Sequence, residues 1–334
     1  MKLIFLFLIL NSFIIIKFNK IKLFYLVLDE PDNKRKIHPR STPLAGGVIL
    51  TINIFFYFIC ATFFPIDLTN EFIFDSKNEI NIFITCCLII FILGLVDDKF
   101  NFNPILKFFI LTCILSWFFN SNDNILIEKI NFSFNSKIII LEQYSFLFTI
   151  FCFLVFMNAF NMFDGINLQS GSYSLIIFLY FAIYGKSNLF ILIIIIFIIS
   201  FLYLNYKDLT FLGDNGSLLI SFIIGFIFIK LFNKDVIDYS DTVLTCMLVP
   251  GIDMVRLFFE RIKNKKNPLS SDRNHLHHLL IDRFSLLTSI LFINLMIALP
   301  IILNYFGLNN FFIILGLIFF YIITILFLKF SLKH

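Results

Sequence analysis

Four aspartates, Asp97, Asp98, Asp164 and Asp214, stand in short polar islands between long apolar runs. Asp97 and Asp98 close the run "IIFILGLV". Two adjacent carboxylates beside an apolar wall suit a hard divalent cation such as Mg²⁺, which takes oxygen ligands and substrate phosphates. They also read as an ordinary solvated helix end. Asp214, in "GDNGS", suits a tight turn and a helix cap as well as a ligand, and Asp164, in "NMFDGIN", has the same ambiguity. Asn158 and Asn161 are one helical turn apart and share a face, for inter-helix hydrogen bonds or for orienting the aspartates around a polar ligand.

A further island, "NPLSSDRNHLHHLLIDR" from Asn267 to Arg283, carries His275, His277, His278 and Arg273. A zinc site is a weak reading of it: adjacent histidines do not easily ligate one ion, and no cysteine is near. With the basic run "RIKNKKN" (261–267) before it, the stretch looks more like an anion site. A solvated basic loop accounts for "RIKNKKN" but not for "DRNHLHH".

These residues need a scaffold, and the rest of the chain says which. Of 334 residues, 59% are hydrophobic and 14% charged. The mean hydropathy is +0.93. A soluble domain carries about 25% charge, so a water-soluble fold is excluded and an integral membrane protein is expected. Cys60, Cys86, Cys87, Cys113, Cys152 and Cys246 lie within apolar runs without a CxxC spacing, which predicts packing residues and no disulfide framework. The run Leu3 to Ile16 is followed by Lys17, Lys20 and Lys22 and by no small-residue cleavage site, so it is expected to be an uncleaved first span.

Eleven apolar segments follow: 1–18, 46–64, 80–96, 104–119, 143–160, 171–184, 188–205, 215–232, 240–258, 286–306 and 310–331. Helices are the spanning form expected, since lipid leaves no partner for free backbone groups and no alternating pattern suggests a barrel. The fold class is therefore an all-α polytopic membrane protein of about eleven transmembrane helices, one domain over 1–334, with a basic and histidine-rich loop at 256–285. One set of loops, with the C-terminus and Lys107, holds 19 of the 26 lysines and arginines, including all six arginines. That set is expected to be cytoplasmic and the N-terminus outside.

Under this topology the islands 36–47, 94–104, 158–171, 211–217 and 267–283 all fall on the cytoplasmic side. Acidic metal ligands, basic phosphate binders and an apolar wall at one membrane face point to transfer of a phosphorylated group from a cytosolic donor to a membrane lipid. Such chemistry needs positioning and charge neutralisation more than covalent catalysis. A transporter would instead place ionisable residues in mid-membrane with inverted repeats. Asp253 in "LVPGIDMVRLFF" is the one exception of that kind, with Arg256 a turn away to pair with it.

In order along the chain, "HPRSTPLAGG", the Asp97–Asp98 pair, "NAFNMFDG", "FLGDNGS", "PGIDMVR" and "SDRNHLHH" resemble the polyprenyl-phosphate N-acetylhexosamine-1-phosphate transferases, a glycosyltransferase family of membrane enzymes. The "HLHH" form is similar to the undecaprenyl-phosphate N-acetylglucosamine-1-phosphate branch. The resemblance covers residues 36 to 283 and implies transfer of N-acetylhexosamine-1-phosphate, with GlcNAc first, from a UDP-sugar to undecaprenyl phosphate. UMP is released, and a lipid-linked surface polysaccharide such as lipopolysaccharide O-antigen or another cell-wall polymer is begun. UDP-FucNAc, UDP-QuiNAc and UDP-GalNAc are the alternative donors. The resemblance further implies Mg²⁺, or Mn²⁺ in its place, held by Asp214 with Asp97 and Asp98. Asp97 is implied as base or positioning group for the lipid phosphate, Asn161 and Asp164 as lining the pocket, and Arg273, His275, His277 and His278 as contacting the sugar-phosphate end. Phe211 is similar to the aromatic that stacks on uracil, Lys107 to a phosphate binder, and Gly165 and His38 belong to matching motifs on the donor side. Asn167 departs from the family pattern by standing where an aspartate meets the uracil edge, which alters the base contact and leaves the metal site untouched. The setting implied is the bacterial inner membrane, with the site facing the cytoplasm and no nucleic-acid partner; a homodimer is compatible with the sequence.

Overall fold

Apolar runs without internal breakers become helices wherever the backbone must satisfy its own hydrogen bonds. The computed structural model describes residues 2–31, 40–64, 73–122, 125–184, 188–268 and 272–330; His38 lies outside them. Among the described residues, eleven helices of 16 to 24 residues coincide with the eleven apolar segments. They are α1 (Lys2–Lys17), α2 (Gly46–Phe63), α3 (Lys77–Phe100), α4 (Pro104–Asn120), α5 (Ser145–Phe163), α6 (Gln169–Tyr184), α7 (Leu189–Tyr206), α8 (Gly213–Asn233), α9 (Ser240–Lys263), α11 (Leu286–Tyr305) and α12 (Asn310–Phe330), with the short α10 (Leu276–Ile281) between α9 and α11. Nine of the helical segments are long and apolar enough to cross a membrane by length and composition, and α4 is a shorter apolar helix. The chain is a multi-pass helical membrane protein.

Three boundaries differ from the sequence reading, and two of them move candidate site residues into a helix. α3 runs on through Asp97 and Asp98 to Phe100, α8 starts at Gly213 and takes Asp214 into its first turn, and α9 continues to Lys263. The expected loop 256–285 is therefore helical at its start and again in α10, because Arg256 and Arg261 find acidic partners, Asp253 and Asp272, that let the polar turns of α9 continue. Two small antiparallel pairs also depart from an all-helical plan. β1 (Leu28–Asp29) pairs with β2 (Thr42–Pro43), and β3 (Lys129–Phe132) pairs with β4 (Asn135–Ile140). The six cysteines are free.

α8 is the central column: every residue from Asn215 to Phe232 is buried, against α2, α3 and α5 in particular. A helix apolar all round is one enclosed by neighbours. Its N-terminus is reached closely by α3 because position 94 is glycine; a Cβ on Gly94 would stand 2.4 Å from the Cα of Asn215. That contact sets the last turn of α3, with its two aspartates, beside the first turn of α8. At the other end of the same pair, Lys230 of α8 is buried and lies 2.6 Å from both Asp75 and Glu79.

Candidate active site

The end of α3 is shaped by its cap. Asn101 adopts a left-handed φ of 50° and its N–H donates to the Asp97 carbonyl at 2.7 Å. The chain then turns at once into α4, whose N-cap is Asn103 and whose first residue is Pro104, both favourable at a helix start. This tight connection brings Lys107 of α4 back over Asp97. Asp97 Oδ1 accepts the N–H of Phe102 at 2.7 Å, and Asp97 Oδ2 lies 2.7 Å from Lys107 Nζ.

The Lys107 ammonium is the centre of the cluster. It lies 2.6 Å from Asp214 Oδ2 and donates to Asn161 Oδ1 at 3.3 Å. Asn161, near the end of α5, donates from Nδ2 to Asp214 Oδ1 and to Ser217 Oγ, both at 2.7 Å. Two carboxylates facing one ammonium leave a net negative charge among oxygens in a largely buried place, which draws a cation. Asn158, one turn back, donates to Leu154 O of its own helix at 2.7 Å and is not part of this cluster.

Asp98 has a different task from its neighbour. Its oxygens accept the backbone N–H groups of Asp214 at 2.8 Å and Asn215 at 3.0 Å, and the Asn215 amide at 2.5 Å. A carboxylate there satisfies orphan donors of α8 and meets the positive end of its dipole. Both oxygens of Asp98 are thereby committed to holding α3 on α8, whereas the sequence pattern grouped it with the metal ligands. Among the described residues no set of three or more histidine, cysteine or acidic side chains lies within metal-ligand reach of a common point.

Asp164 ends α5 and turns into the loop that begins α6. Its carboxylate accepts the Ser170 hydroxyl. Burial pushes its pKa up to about 7, the charge of Asp214 adds to the rise, and the Ser170 hydrogen bond opposes it. The next residue, Gly165, faces the histidine island directly: a Cβ on it would lie 2.0 Å from His277 Nε2. His277 is 1% exposed, and neither ring nitrogen has a hydrogen-bond partner among the described residues. Its ring lies 4.3 Å from that of His278 and is stacked 5.2 Å from that of His275.

Burial, with the rings of His278 and His275 close by, holds His277 well below the usual histidine range. Burial together with His275 and Arg273 brings His278 down to about 4. At neutral pH these two rings are hydrogen-bonding groups and not cations. Arg273 lies 3.2 Å from Asp282 on the rim. His275 Nδ1 lies 2.9 Å from Asp253 Oδ2.

Asn167 and Phe211, which the resemblance sets on the donor side, are each held by the polar groups around them. Asn167 Nδ2 donates to Asp208 Oδ1 at 2.5 Å, and its Oδ1 accepts from Asn205 at 3.4 Å. A carboxylate therefore does stand here, supplied by Asp208. Phe211 is half-buried and clasped through its backbone, its N–H donating to Pro43 O at 2.9 Å and its carbonyl accepting from Gly46 at 3.0 Å.

The structure thus brings together Asp97, Lys107, Asn161 and Asp214, and sets Asp164 and Gly165 against His277. Sequence reasoning missed the helix-holding use of Asp98, which an aspartate pair alone does not reveal. It also gave no role to Ser170 or Tyr321, and it read Ser217 only as part of a turn and helix start. It did single out Asp253 as out of place in an apolar helix, and that residue is a hub.

Fold and site together define a multi-pass helical membrane protein with a carboxylate–ammonium–amide cluster at one end of its helices. The model of glycosyl transferase family 4 matches residues 80–232, from α3 through α8. It is 28% identical over 271 residues to the undecaprenyl-phosphate alpha-N-acetylglucosaminyl 1-phosphate transferase of Escherichia coli O157:H7, covering 76% of this chain and 69% of that protein. It is 26% identical over 294 residues to the protein of that name from Yersinia pestis, covering 84% and 76%. With the one from Thermotoga maritima it shares 29% over 253 residues, covering 75% and 72%.

Proposed function

We propose that the protein transfers N-acetylglucosamine-1-phosphate from UDP-GlcNAc to undecaprenyl phosphate on the cytoplasmic side of the bacterial inner membrane. The product would begin a lipid-linked surface polysaccharide. The observation that carries this reading is the Asp97–Lys107–Asp214–Asn161 cluster, a cation-seeking oxygen set with a lysine at its centre, within a family of membrane transferases.

In the reaction proposed, an oxygen of the lipid phosphate attacks the β-phosphorus of the UDP-sugar. The new P–O bond forms as the bond to the α-phosphate bridge breaks, and UMP leaves with the bridging oxygen. A phosphate monoester is largely dianionic near neutral pH, its second pKa being about 6, so it attacks without a general base. Asp97 fits a positioning role, because one oxygen is fixed by Phe102 N–H and the other holds Lys107.

The donor set suits Mg²⁺, with Mn²⁺ as a substitute: hard oxygens of Asp214 and Asp97 converge where an ammonium now sits, and Mg²⁺ characteristically uses one or two carboxylates plus substrate phosphates. When bound, the ion would supply neutralisation of pyrophosphate charge. Lys107 is placed to turn from the carboxylates to a phosphate oxygen. Asn161 holds the Asp214 carboxylate in orientation, and neutral His277 and His278 offer hydrogen bonds on the sugar side. Asn167 with Asp208 presents an amide and a carboxylate toward the donor base.

The test is UMP release by the purified protein with undecaprenyl phosphate, Mg²⁺ and a panel of UDP-sugars, with Asp214→Ala and EDTA alongside. Release from UDP-GlcNAc that both treatments abolish supports the reading. Release only from UDP-FucNAc, UDP-QuiNAc or UDP-GalNAc keeps the reaction and changes the donor. No release from any donor sinks it.

A further inference from the structure

The carboxylate of Asp253, inside α9, is 4% exposed and gathers four donors. Oδ1 accepts the Tyr321 hydroxyl at 2.6 Å, the Arg256 Nη2 at 2.9 Å and the backbone N–H of Leu276 at 3.1 Å. Oδ2 lies 2.9 Å from His275 Nδ1. Arg256 completes a ring: Nε donates to the Tyr321 oxygen at 2.7 Å, and Nη2 also donates to the carbonyl of Asn274 at 2.6 Å. Asn274, His275 and Leu276 are thus all held by one pair, Asp253 and Arg256, and that pair is closed by a tyrosine from α12.

Residues 274–276 are the entry to α10, which carries His277 and His278. His277 reaches the transferase site only through the placement of this helix, with its ring fitted against Gly165. Tyr321 lies 2% exposed on the last helix, well outside the segment matched by the family model. The same helix is tied again to α9 by Lys329, which donates to Glu260 at 2.6 Å, while Arg256 reaches Glu260 at 3.1 Å. A buried hydroxyl that both donates to a carboxylate and accepts from a guanidinium leaves two charged groups short of a partner when it is removed.

We propose that Tyr321 is a positioning residue for the transferase site: through Asp253 and Arg256 it fixes the entry to α10 and so seats His277 beside Gly165. This rests on the transferase reading above. Tyr321 touches no reacting atom, so its effect must pass through His277.

Tyr321→Phe keeps the ring and its packing and deletes the hydroxyl. In a UMP-release assay the variant should lose about tenfold in kcat, as expected for a site displaced by a fraction of an ångström, with KM for the lipid phosphate unchanged. The double variant Tyr321→Phe, His277→Ala should be no slower than His277→Ala alone. Multiplied losses would overturn the proposal, since independent sites add in free energy. A second readout needs no activity: the rate at which diethyl pyrocarbonate modifies His277, followed by peptide mass spectrometry. Modification of the buried ring should speed up at least fivefold in Tyr321→Phe; an unchanged rate overturns the proposal even if the wild-type protein releases no UMP and the transferase reading itself has failed. Arg256→Lys, which keeps the charge and loses the Nε–H to Tyr321, serves as the second variant and should repeat both results.

Discussion

His277 fills the space that a side chain at Gly165 would need, its Nε2 lying 2.0 Å from where a Cβ would stand. The loop after α5 and the histidine helix α10 therefore fit one another at a single point, far apart in sequence. Gly165→Ala should push the imidazole out of the site without breaking a helix. A displacement of this size predicts a loss of about 10²-fold in UMP release with little change in the melting midpoint, measured on the same preparation.

Asp97 and Asp98 are adjacent and should fail in different ways. Asp98 holds the N-terminus of α8 through two backbone N–H groups and the Asn215 amide. Asp98→Ala should cost about 1–2 kcal/mol of stability, the range of a lost cap, seen as a lower melting midpoint in detergent. Asp214→Asn should abolish UMP release and lower the melting midpoint as well, because the single amide oxygen accepts from Lys107 or from Asn161 but not from both, and the charge that attracts a cation is lost.

The helices were legible because hydropathy in a membrane protein is a one-dimensional signal, and the polar islands marked where it stops. The convergence of those islands was legible too, since Asp97, Asn161 and Asp214 sit at ends that topology sends to one side. What each aspartate does there was not. Whether a carboxylate faces a ligand or a helix N-terminus depends on the rotation of α3 against α8, fixed by the close approach at Gly94 and by no local pattern. The β3–β4 hairpin carries no turn glycine or clean alternation; it is held from outside, by Ser133 donating to Asp241 of α9 at 2.7 Å from its hydroxyl and 3.0 Å from its N–H. Asp253 was visible as an oddity with Arg256 one turn on, but Tyr321 lies 68 residues away on a helix with no motif.

Two groups outside the spans should give stability opposite pH slopes. Asp164 is raised from 3.8 to about 7, so between these values the folded chain holds a proton that the unfolded chain has released. Its contribution to stability then falls as pH rises from about 4 to 7. His278 is lowered from 6.5 to about 4, so the unfolded chain holds the extra proton and stability rises with pH across that window. Asp164→Asn should raise the melting midpoint at pH 8 and change it little at pH 4. His278→Gln should raise it at pH 4.5 and change it little at pH 8. Identical shifts at both pH values for either variant would refute the assignment.

Lys107 is 8% exposed and stands between carboxylates 2.7 and 2.6 Å away, so its ammonium is the charge that lets Asp97 and Asp214 coexist. Lys107→Met keeps the length of the chain and removes that charge. Breaking a buried ion pair from one side typically costs about 3–5 kcal/mol, and Asp214 is open enough to water to bring this to the lower end, about 3 kcal/mol. The variant should melt several degrees below the wild type in EDTA. A divalent cation should then recover more of the loss than it adds to the wild type, because two unneutralised carboxylates bind it more tightly and binding stabilises the folded state by mass action. A titration of the melting midpoint with Mg²⁺ reads this without any substrate. Parallel titrations for variant and wild type would mean that Lys107 and the cation do not share the carboxylates of Asp97 and Asp214.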